Sequence, residues 1–308
     1  MKHKQLLSSV LLLTAAIIWG FAFVAQEKAA VTVQPFTLNA TRALIAAAAL
    51  VPIAAITRRM QGKRLLESFS ADRKQLVKAG VICGIMLCIS TNLQQFGISL
   101  FPEGAPASAH SGFLTALYIL FVPLFGLFLG KKPGIFVTIA VILATVGLYF
   151  LCLYNGFGTL YTGDIVVLMC GMAFAVQILC VDRFISSVDG VKLSSLQFLV
   201  TGVLSAILML IFEKPNLSAI LAAWQPILYL ALMSSGIAYT LQIIGQKYAS
   251  SPTLASILMS MESVFAFIGG MIFMGAIPKT NEWIGCGLML IAIIIAQLPS
   301  DILKKKHA

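Results

Sequence analysis

Long apolar runs, separated by short stretches rich in charged residues, Gly and Pro, follow one another along the 308-residue chain. A helix rises about 1.5 Å per residue, so about 20 apolar residues cross a hydrocarbon core of roughly 30 Å. The runs and their breaks predict ten membrane helices, beginning near residues 6, 35, 77, 106, 134, 162, 193, 226, 253 and 281. The first run, Leu6 to Val24, is too long for a signal peptide and is expected to stay as a helix. The expected fold class is an all-α polytopic membrane protein.

The composition of the chain also indicates a membrane protein and argues against a nucleic-acid-binding one. Hydrophobic residues make up 59% of the chain and charged residues 10%, with a mean hydropathy of +0.97, which is too apolar for a soluble fold. A net charge of +10 would suit nucleic acid, but the basic residues lie in loops between apolar runs. We therefore expect the lipid bilayer as a partner and no nucleic acid. The six cysteines lie within apolar segments and are interpreted as core residues, not as zinc ligands or disulfides.

The placement of the basic residues predicts the orientation of the chain. With the N-terminus in the cytoplasm, all but four of the 21 Lys and Arg residues fall on the cytoplasmic side. The exceptions are Lys28, Arg42, Lys214 and Lys279. The positive-inside rule therefore predicts a protein of the cell inner (cytoplasmic) membrane with both termini in the cytoplasm. The basic connection from Thr57 to Gln75 is expected to form a cytoplasmic loop near anionic lipid headgroups.

The chain contains an internal repeat. The first predicted helix reads G-F-A-F-V-A-Q from Gly20, and the sixth reads G-M-A-F-A-V-Q from Gly171, 151 residues later. Two shorter matches follow in the same order, Leu93-Gln94 with Leu241-Gln242 and Gly130 with Gly275. Matches in one order along the chain indicate a duplication. We expect a first domain of residues 1–155 and a second of residues 156–308, each with five helices.

An odd number of helices per domain means that the second domain must enter the membrane from the opposite side. Such inverted repeats are typical of secondary transporters, in which two halves enclose a site near the bilayer midplane and expose it to each side in turn. The expected architecture is ten transmembrane helices in two inverted five-helix repeats. The site is expected to be lined from helices one, three, four, six, eight and nine.

Polar residues within the apolar helices are the candidates for the substrate site. Helices four and nine carry hydroxyl stripes at the same spacing, 145 residues apart. The stripes are Ser108, Ser111, Thr115 and Tyr118, and Thr253, Ser256, Ser260 and Ser263. Amides on helices three and eight suit a zwitterionic or polyhydroxylated solute, while helix packing through the same groups is the alternative. The predicted substrate-binding residues are Trp19, Asn92, Gln95, Ser111, Thr115, Tyr118, Tyr239, Gln242 and Ser260.

Two charged residues lie inside predicted helices. Glu262 is the only charged residue from Tyr248 to Pro278 and falls near the bilayer centre, where an ionised side chain costs from about 2.5 to over 10 kcal/mol. We interpret Glu262 as the candidate for proton coupling, with a neutral packing role as the alternative. If the serine stripe packs against a neighbouring helix, Glu262 is free to face a cavity. Arg42 is expected to extend outward or to pair with an acid such as Asp164.

Several short stretches carry a family resemblance that spans nearly the whole chain. They are Trp19-Gly20, Arg42, Leu93 to Gly97, Met261 to Ala266, Gly285 and Leu288. On these residues the chain resembles the EamA family of the drug/metabolite transporter (DMT) superfamily. M-E-S-V-F-A from Met261 is similar to the family's L-E-P-V-F-A, with Ser263 in place of the proline. The resemblance implies two five-helix repeats and movement of small metabolites, often export of amino acids or related amines, without ATP hydrolysis.

The expected function is therefore that of a metabolite exporter, which moves small polar solutes by alternating access with protons as candidate coupling ions. The protein is not expected to be an enzyme, and no cofactor or metal is expected. His110 is the only histidine within a predicted helix, and no P-loop pattern occurs. A membrane-embedded enzyme and a carrier for nucleotides, sugars or drugs stay open as alternatives, as does the oligomeric state.

Overall fold

The computed structural model describes residues 2–60, 71–102, 107–152, 161–274 and 279–298. Within these residues the regular secondary structure is helical and no strand occurs, which confirms the all-α prediction. Part of the predicted basic loop, residues 61–70, lies outside them, and so do Gly275 to Pro278 of the repeat and the basic residues Lys304 to Lys306.

We number the main helices α1 to α10 in chain order. They are α1 Lys2–Ala30, α2 Pro35–Met60, α3 Ala71–Ser99, α4 in two segments Ala107–Ala116 and Tyr118–Phe128, α5 Ile135–Cys152, α6 Thr162–Phe184, α7 Gly190–Phe212, α8 in three segments Trp224–Leu228, Tyr229–Ala238 and Tyr239–Tyr248, α9 in two segments Pro252–Met259 and Glu262–Met274, and α10 Thr280–Ala296. A short helix, Leu217–Ala222, precedes α8. Helices α2 and α3 extend into the predicted connection between Thr57 and Gln75, since apolar runs do not mark the polar ends of helices.

Eight of these helices are long and apolar enough to cross a membrane. The apolar parts of α5 and α10, Ile135–Phe150 and Trp283–Ala296, are shorter. The ten crossings therefore stay a prediction. Large apolar side chains such as Ile142 and Leu210 are exposed on the outer surface, where lipid accommodates them and water does not.

Local sequence determines where two of the helices begin. The Asp189 side chain accepts hydrogen bonds from the amides of Val191 and Lys192, at 3.1 and 3.0 Å, and so caps α7. At the start of α9, Ser251 Oγ accepts from the Leu254 amide at 3.1 Å, and proline occupies the first turn. Glu262 consequently lies about 15 Å along α9 from its first residue.

Three helices are interrupted part-way along their length. Helix α4 breaks at Leu117, and α9 breaks at Ser260 and Met261. Helix α8 contains a ten-residue π-helical segment, Tyr229–Ala238. Interruptions release backbone groups from the regular helical pattern and are frequent at functional sites and in the binding helices of transporters. The three interruptions lie within helices α4, α8 and α9, which makes these helices candidates for the functional site.

The helices make reciprocal contacts. Helix α1 packs against α8 and α9, α6 packs against α3 and α4, α2 lies on α7, and α5 lies on α10. Two glycines permit the closest approaches. A Cβ on Gly20 would lie 2.3 Å from the Cβ of Phe265, and one on Gly171 would lie 2.7 Å from the carbonyl oxygen of Leu114. Gly171 follows Gly20 by 151 residues, and Phe265 follows Leu114 by the same number. The same contact therefore occurs twice, with the two halves of the chain exchanged.

Candidate functional site

A cavity lies where α1, α2, α3, α4, α6, α8 and α9 meet, and we call it the central cavity. Its volume of about 40 Å³ gives room for about three water molecules at 10–15 Å³ each. Helix α2 lines the cavity in addition to the six helices that the sequence predicted. Helices α5 and α10 contribute nothing to the wall and pack on each other instead.

Two buried ionisable residues lie on the wall of the central cavity. Arg42 on α2 is 5% exposed and Glu262 on α9 is 4% exposed. No ion pair joins them, and among the described residues neither forms an ion pair with another side chain. Glu262 Oε1 is buried without a hydrogen-bond partner. Tyr239 and Cys170 each interact electrostatically with both groups, and Tyr118 interacts with Glu262. Because a buried charge without a partner is costly, these two groups are the strongest indication of a ligand site.

Aromatic rings form one side of the central cavity. The rings of Trp19 and Tyr239 meet edge to face with centroids 4.8 Å apart. Trp19 Nε1 donates to the carbonyl oxygen of Ser234 at 3.3 Å, within the π-helical segment of α8. This bond holds the indole in place against α8. Trp and Tyr rings attract cations through their faces, so this wall suits a positively charged or an apolar part of a solute.

Amide side chains supply the remaining polar groups. Gln94 Nε2 donates to Thr115 Oγ1 at 3.1 Å, and Gln242 Nε2 donates to Gln177 Oε1 at 3.2 Å. The Oε1 atoms of Gln26 and Gln242 are buried without hydrogen-bond partners. Gln242 therefore has its amide nitrogen bound to the protein and its acceptor oxygen unused, and Gln26 offers a second unused acceptor.

The structure brings together seven of the eleven residues predicted for substrate binding or charge coupling. Trp19, Arg42, Thr115, Tyr118, Tyr239, Gln242 and Glu262 line the central cavity. Asn92, Gln95, Ser111 and Ser260 do not. The helices that the sequence predicted do line the central cavity. The sequence did not determine which side of each helix faces it.

Asn92 belongs to a separate polar cluster between α2, α3 and α7. Its Nδ2 donates to the Cys88 carbonyl and to Ser205 Oγ, both at 2.8 Å. Its Oδ1 accepts from Asn39 Nδ2 at 3.0 Å, and Asn39 Nδ2 also donates to the Thr91 carbonyl at 2.9 Å. We call these five residues the α2–α3–α7 cluster. Every hydrogen-bonding atom of the Asn92 amide group has a protein partner, so Asn92 acts here in helix packing.

Gln95 and Ser111 are buried away from the central cavity. Gln95 is fully buried, and its Nε2 donates to the Gln26 carbonyl at 3.4 Å. Its neighbour Gln94 takes the place on the cavity wall. Ser111 is also fully buried, and its Oγ has no hydrogen-bond partner. Adjacent residues of a helix point in directions that differ by about 100°. Gln94 therefore faces the central cavity and Gln95 does not.

The hydroxyl stripe of α9 serves the backbone. Ser256 Oγ donates to the Thr253 carbonyl and Ser260 Oγ to the Ile257 carbonyl, both at 2.8 Å. Ser263 Oγ, which stands where the family has proline, donates to the Gly112 carbonyl on α4 at 2.9 Å. Of these serines only Ser263 contacts a neighbouring helix through its hydroxyl group. None of the three lines the central cavity, whereas Glu262 does.

Helix α6 carries an acid at each end, and each acid holds a basic residue at or next to an end of α4. Asp164 Oδ1 lies 2.8 Å from His110 Nδ1 near the start of α4. Asp182 is paired with Lys131, which follows the end of α4. Arg42 does not pair with Asp164, contrary to one of the two alternatives, because Asp164 pairs with His110 and Arg42 lies on the cavity wall.

Sequence reasoning missed several lining residues for which a signal was present. Phe23 and Phe174 are the phenylalanines of the repeated G-x-A-F motif, and Gln26 is its glutamine. The repeated motif was used to recognise the duplication but not to place side chains at the site. Met259 and Ser234 had no such signal, because they belong to the interrupted parts of α9 and α8.

Within the described parts of the chain, no three His, Cys, Asp or Glu side chains are grouped as metal ligands. Cys83, Cys88 and Cys170 are buried free thiols, and Cys180 is a partly buried one. Cys286 is also buried, in agreement with the interpretation of the cysteines as core residues.

A model of the EamA-like transporter family matches the chain twice, over residues 6–153 and 161–297. The chain belongs to the EamA-like transporter family. It is a multi-pass membrane protein, and the resemblance found on the sequence motifs is confirmed. An uncharacterized transporter of Archaeoglobus fulgidus (strain ATCC 49558 / DSM 4304 / JCM 9628 / NBRC 100126 / VC-16) is similar to this EamA protein, with 26% identity over 296 residues, 96% of this chain and 87% of that protein.

A solved structure described only as a crystal structure of a protein has the same fold. It matches with a TM-score of 0.74 at 22% identity and covers 96% of this EamA chain and 98% of that chain. At this identity the likeness establishes the fold alone.

Proposed function

We propose that this EamA-family protein is a secondary transporter that exports small polar metabolites, such as amino acids or related amines, across the cytoplasmic membrane. The observation that carries the proposal is the central cavity, in which Arg42 and Glu262 are buried and form no ion pair with any described residue. Ionisable groups at membrane depth are expensive and usually mark a solute or ion pathway. A purely structural bundle would have no reason to keep both.

The proposed architecture is ten transmembrane helices in two inverted five-helix repeats, residues 1–155 and 156–308, with both termini cytoplasmic. The double match of the family model supports two repeats. The contacts Gly20 with Phe265 and Gly171 with Leu114 support a two-fold relation between them. The distribution of Lys and Arg supports the orientation.

Alternating access needs a bundle that opens on either side of a fixed site. The pairs Asp164 with His110 and Asp182 with Lys131 hold α4 against α6 at opposite ends. In the proposed cycle one pair separates while the other stays closed, so the central cavity opens to one side at a time. The interruptions of α4 and α9 supply the places where these helices bend.

Glu262 is the proposed coupling residue. In the proposed cycle its carboxyl group takes up a proton on one side of the membrane and releases it when the cavity opens to water on the other. The Oε1 atom, which has no hydrogen-bond partner among the described residues, is available to carry this proton.

Transport into proteoliposomes against imposed pH gradients tests the proposal. We expect solute movement to respond to the gradient in the wild-type protein and to lose this response in Glu262→Gln. Glu213→Gln is the matched control, because Glu213 is an acid outside the central cavity that accepts hydrogen bonds from the start of α2. A Glu262→Gln protein with the full pH response contradicts proton coupling through Glu262.

The architecture has its own test, which is labelling of single introduced cysteines from each side of the membrane. We expect residues before α1 and after α10 to react from the cytoplasmic side only. Termini on opposite sides would contradict the inverted-repeat arrangement.

A further inference from the structure

The repeated motif G-x-A-F-x-x-Q ends in a glutamine in each half of the chain, Gln26 on α1 and Gln177 on α6. The phenylalanines of both copies line the central cavity. Each glutamine follows its phenylalanine by three residues, which is about one helical turn. Both glutamines are therefore close to the cavity wall. Both are also buried, but they differ in what they bind.

The two glutamines lie toward opposite ends of the helix bundle. The end of α1 and the starts of α4 and α6 lie together, because Ser108 of α4 bonds to α1 and His110 of α4 pairs with Asp164 of α6. The end of α6 lies at the other end of the bundle, where Asp182 pairs with Lys131 after α4. The α1 glutamine therefore lies toward the first end, which we call the Asp164 end, and the α6 glutamine toward the second, the Asp182 end.

At the Asp182 end an amide pair joins α6 to α8. Gln242 Nε2, on the cavity wall, donates to Gln177 Oε1 at 3.2 Å. One turn further along α8, Gln246 Nε2 donates to the Ile178 carbonyl at 3.1 Å. Ile178 also lines the central cavity. These two bonds therefore connect α6 and α8 directly beside the cavity, on the side that faces Asp182.

The Asp164 end has no equivalent of this amide pair among the described residues. Gln94, which matches Gln242 in the first half of the chain, donates to Thr115 on α4 instead. Gln26 Oε1 has no hydrogen-bond partner there. A bond from Gln95 Nε2 to the Gln26 carbonyl is longer, at 3.4 Å. The two halves of the chain therefore close the two ends of the cavity through different contacts.

We propose that Gln177 is a gate residue, whose hydrogen bond with Gln242 closes the central cavity toward the Asp182 end and breaks each time the cavity opens there. The proposal rests on the transport function proposed above and adds a residue that carries no charge and does not line the cavity. Gln177 Nε2 and Gln242 Oε1 are buried without hydrogen-bond partners among the described residues. When this end opens, water reaches both amides and satisfies these atoms, which lowers the cost of opening.

The amide pair suits a gate better than the ion pair that lies beyond it. Asp182 follows Gln177 by five residues, about 7.5 Å further along α6. Its pair with Lys131 is partly exposed, and exposed ion pairs contribute little to the closed state. Opening also releases the Nε2 group of Gln242 on the cavity wall. The step that admits a solute from the Asp182 end thus supplies a donor that binds it.

Labelling of a cysteine inside the cavity, from each side of the membrane, tests the proposal. Met259 lines the central cavity, and Met259→Cys in the full-length protein is the reporter. A small membrane-impermeant methanethiosulfonate is added to right-side-out and to inside-out vesicles. Peptide mass spectrometry locates the label at residue 259 and separates it from labels on the native cysteines. The thermal unfolding temperature of each purified variant shows that it is folded.

Three substitutions of glutamine are compared in the reporter protein. With Gln177→Met, which removes both hydrogen-bonding atoms, we expect labelling from the Asp182 side to become about fivefold faster, since the closed state loses one net hydrogen bond. Labelling from the opposite side should not become faster. Gln177→Glu keeps an acceptor oxygen and should stay within about twofold of the unsubstituted reporter. Gln197→Met is the matched control and should do the same. Gln197 is fully buried, its side chain has no hydrogen-bond partner among the described residues, and it does not line the cavity.

The outcomes separate the gate from the transport proposal. If Gln177→Met is labelled at the same rates as the unsubstituted reporter, the gate is overturned and the transport proposal stands. If labelling becomes faster from both sides, or Gln177→Glu behaves like Gln177→Met, Gln177 supports the bundle and is not a gate. If residue 259 is labelled from the Asp182 side in none of the proteins, the cavity does not open there, and both proposals are overturned.

Discussion

The central cavity and the α2–α3–α7 cluster are both buried and polar, yet the cavity contains an arginine and a glutamate and the cluster contains no Asp, Glu, Lys, Arg or His side chain. In the cluster, Asn92 donates to Cys88 and Ser205 and accepts from Asn39. In the cavity, Arg42 and Glu262 form no ion pair within the part of the chain that the structure describes, and the Oε1 atom of Glu262 has no hydrogen-bond partner there. The cluster joins helices through neutral groups, whereas the cavity keeps two ionisable groups for a solute or ion.

The difference shows which property distinguishes a ligand site inside a membrane protein. Burial does not, because Asn92 is as deeply buried as Arg42. Charge does, because the cavity holds two buried ionisable side chains that form no ion pair among the described residues, whereas the cluster holds neutral groups. Substitutions in the cluster should therefore affect stability, and substitutions in the cavity should affect transport.

The largest effect is expected for Arg42→Gln. Transport of the proposed amino-acid solute should fall by about 100-fold or more, since the central cavity then loses a buried charged group. The thermal unfolding temperature should stay equal or rise, because an unpaired buried charge has been removed. Both are measured on the same preparation. A large fall in unfolding temperature would place Arg42 among the structural residues and abolish the contrast.

The second effect is expected for Asn92→Ala in the α2–α3–α7 cluster. The substitution removes three hydrogen bonds, each worth about 0.6–1.5 kcal/mol, and leaves Asn39 and Ser205 with fewer partners. We expect unfolding to become easier by about 2–4 kcal/mol, measured by denaturant titration in detergent. The solute affinity of the folded fraction should stay within about twofold, since Asn92 does not line the cavity. A selective loss of affinity would return Asn92 to the substrate site.

A third comparison uses two neighbouring residues of α3. Gln94 lines the central cavity, and Gln95 is fully buried outside it. Gln94→Leu should weaken solute binding by about 10-fold, because one hydrogen-bonding group of the wall is lost. Gln95→Leu should leave binding nearly unchanged and shift only stability. Each substitution is the control for the other, because both replace glutamine by leucine in the same turn of α3. The reverse result would mean that α3 presents its other face in the transporting protein.

Sequence reasoning reached the family, the helical fold and most of the polar wall. It could do so because apolar runs report membrane helices and because the duplicated motifs keep their order. It could not separate Gln94 from Gln95, since both are amides on one turn and the distinction depends on the rotation of α3 in the bundle. It also aligned the two hydroxyl stripes at an offset of 145 residues, whereas the contacts of Gly20 and Gly171 repeat at 151. The stripes are therefore similar in sequence without being equivalent in contact.

The smallest effect is expected for Ser256→Ala on α9. Ser256 Oγ donates to the Thr253 carbonyl three residues earlier in the same helix, and such bonds to the preceding turn add little to helix stability. The alanine side chain fits in the same space, so no close contact is introduced. We expect the free energy of unfolding to change by less than about 0.5 kcal/mol and transport to stay within about twofold, measured as for Arg42→Gln. A strong transport defect here would mean that the hydroxyl stripe, and not the charged wall that includes Glu262, contacts the solute.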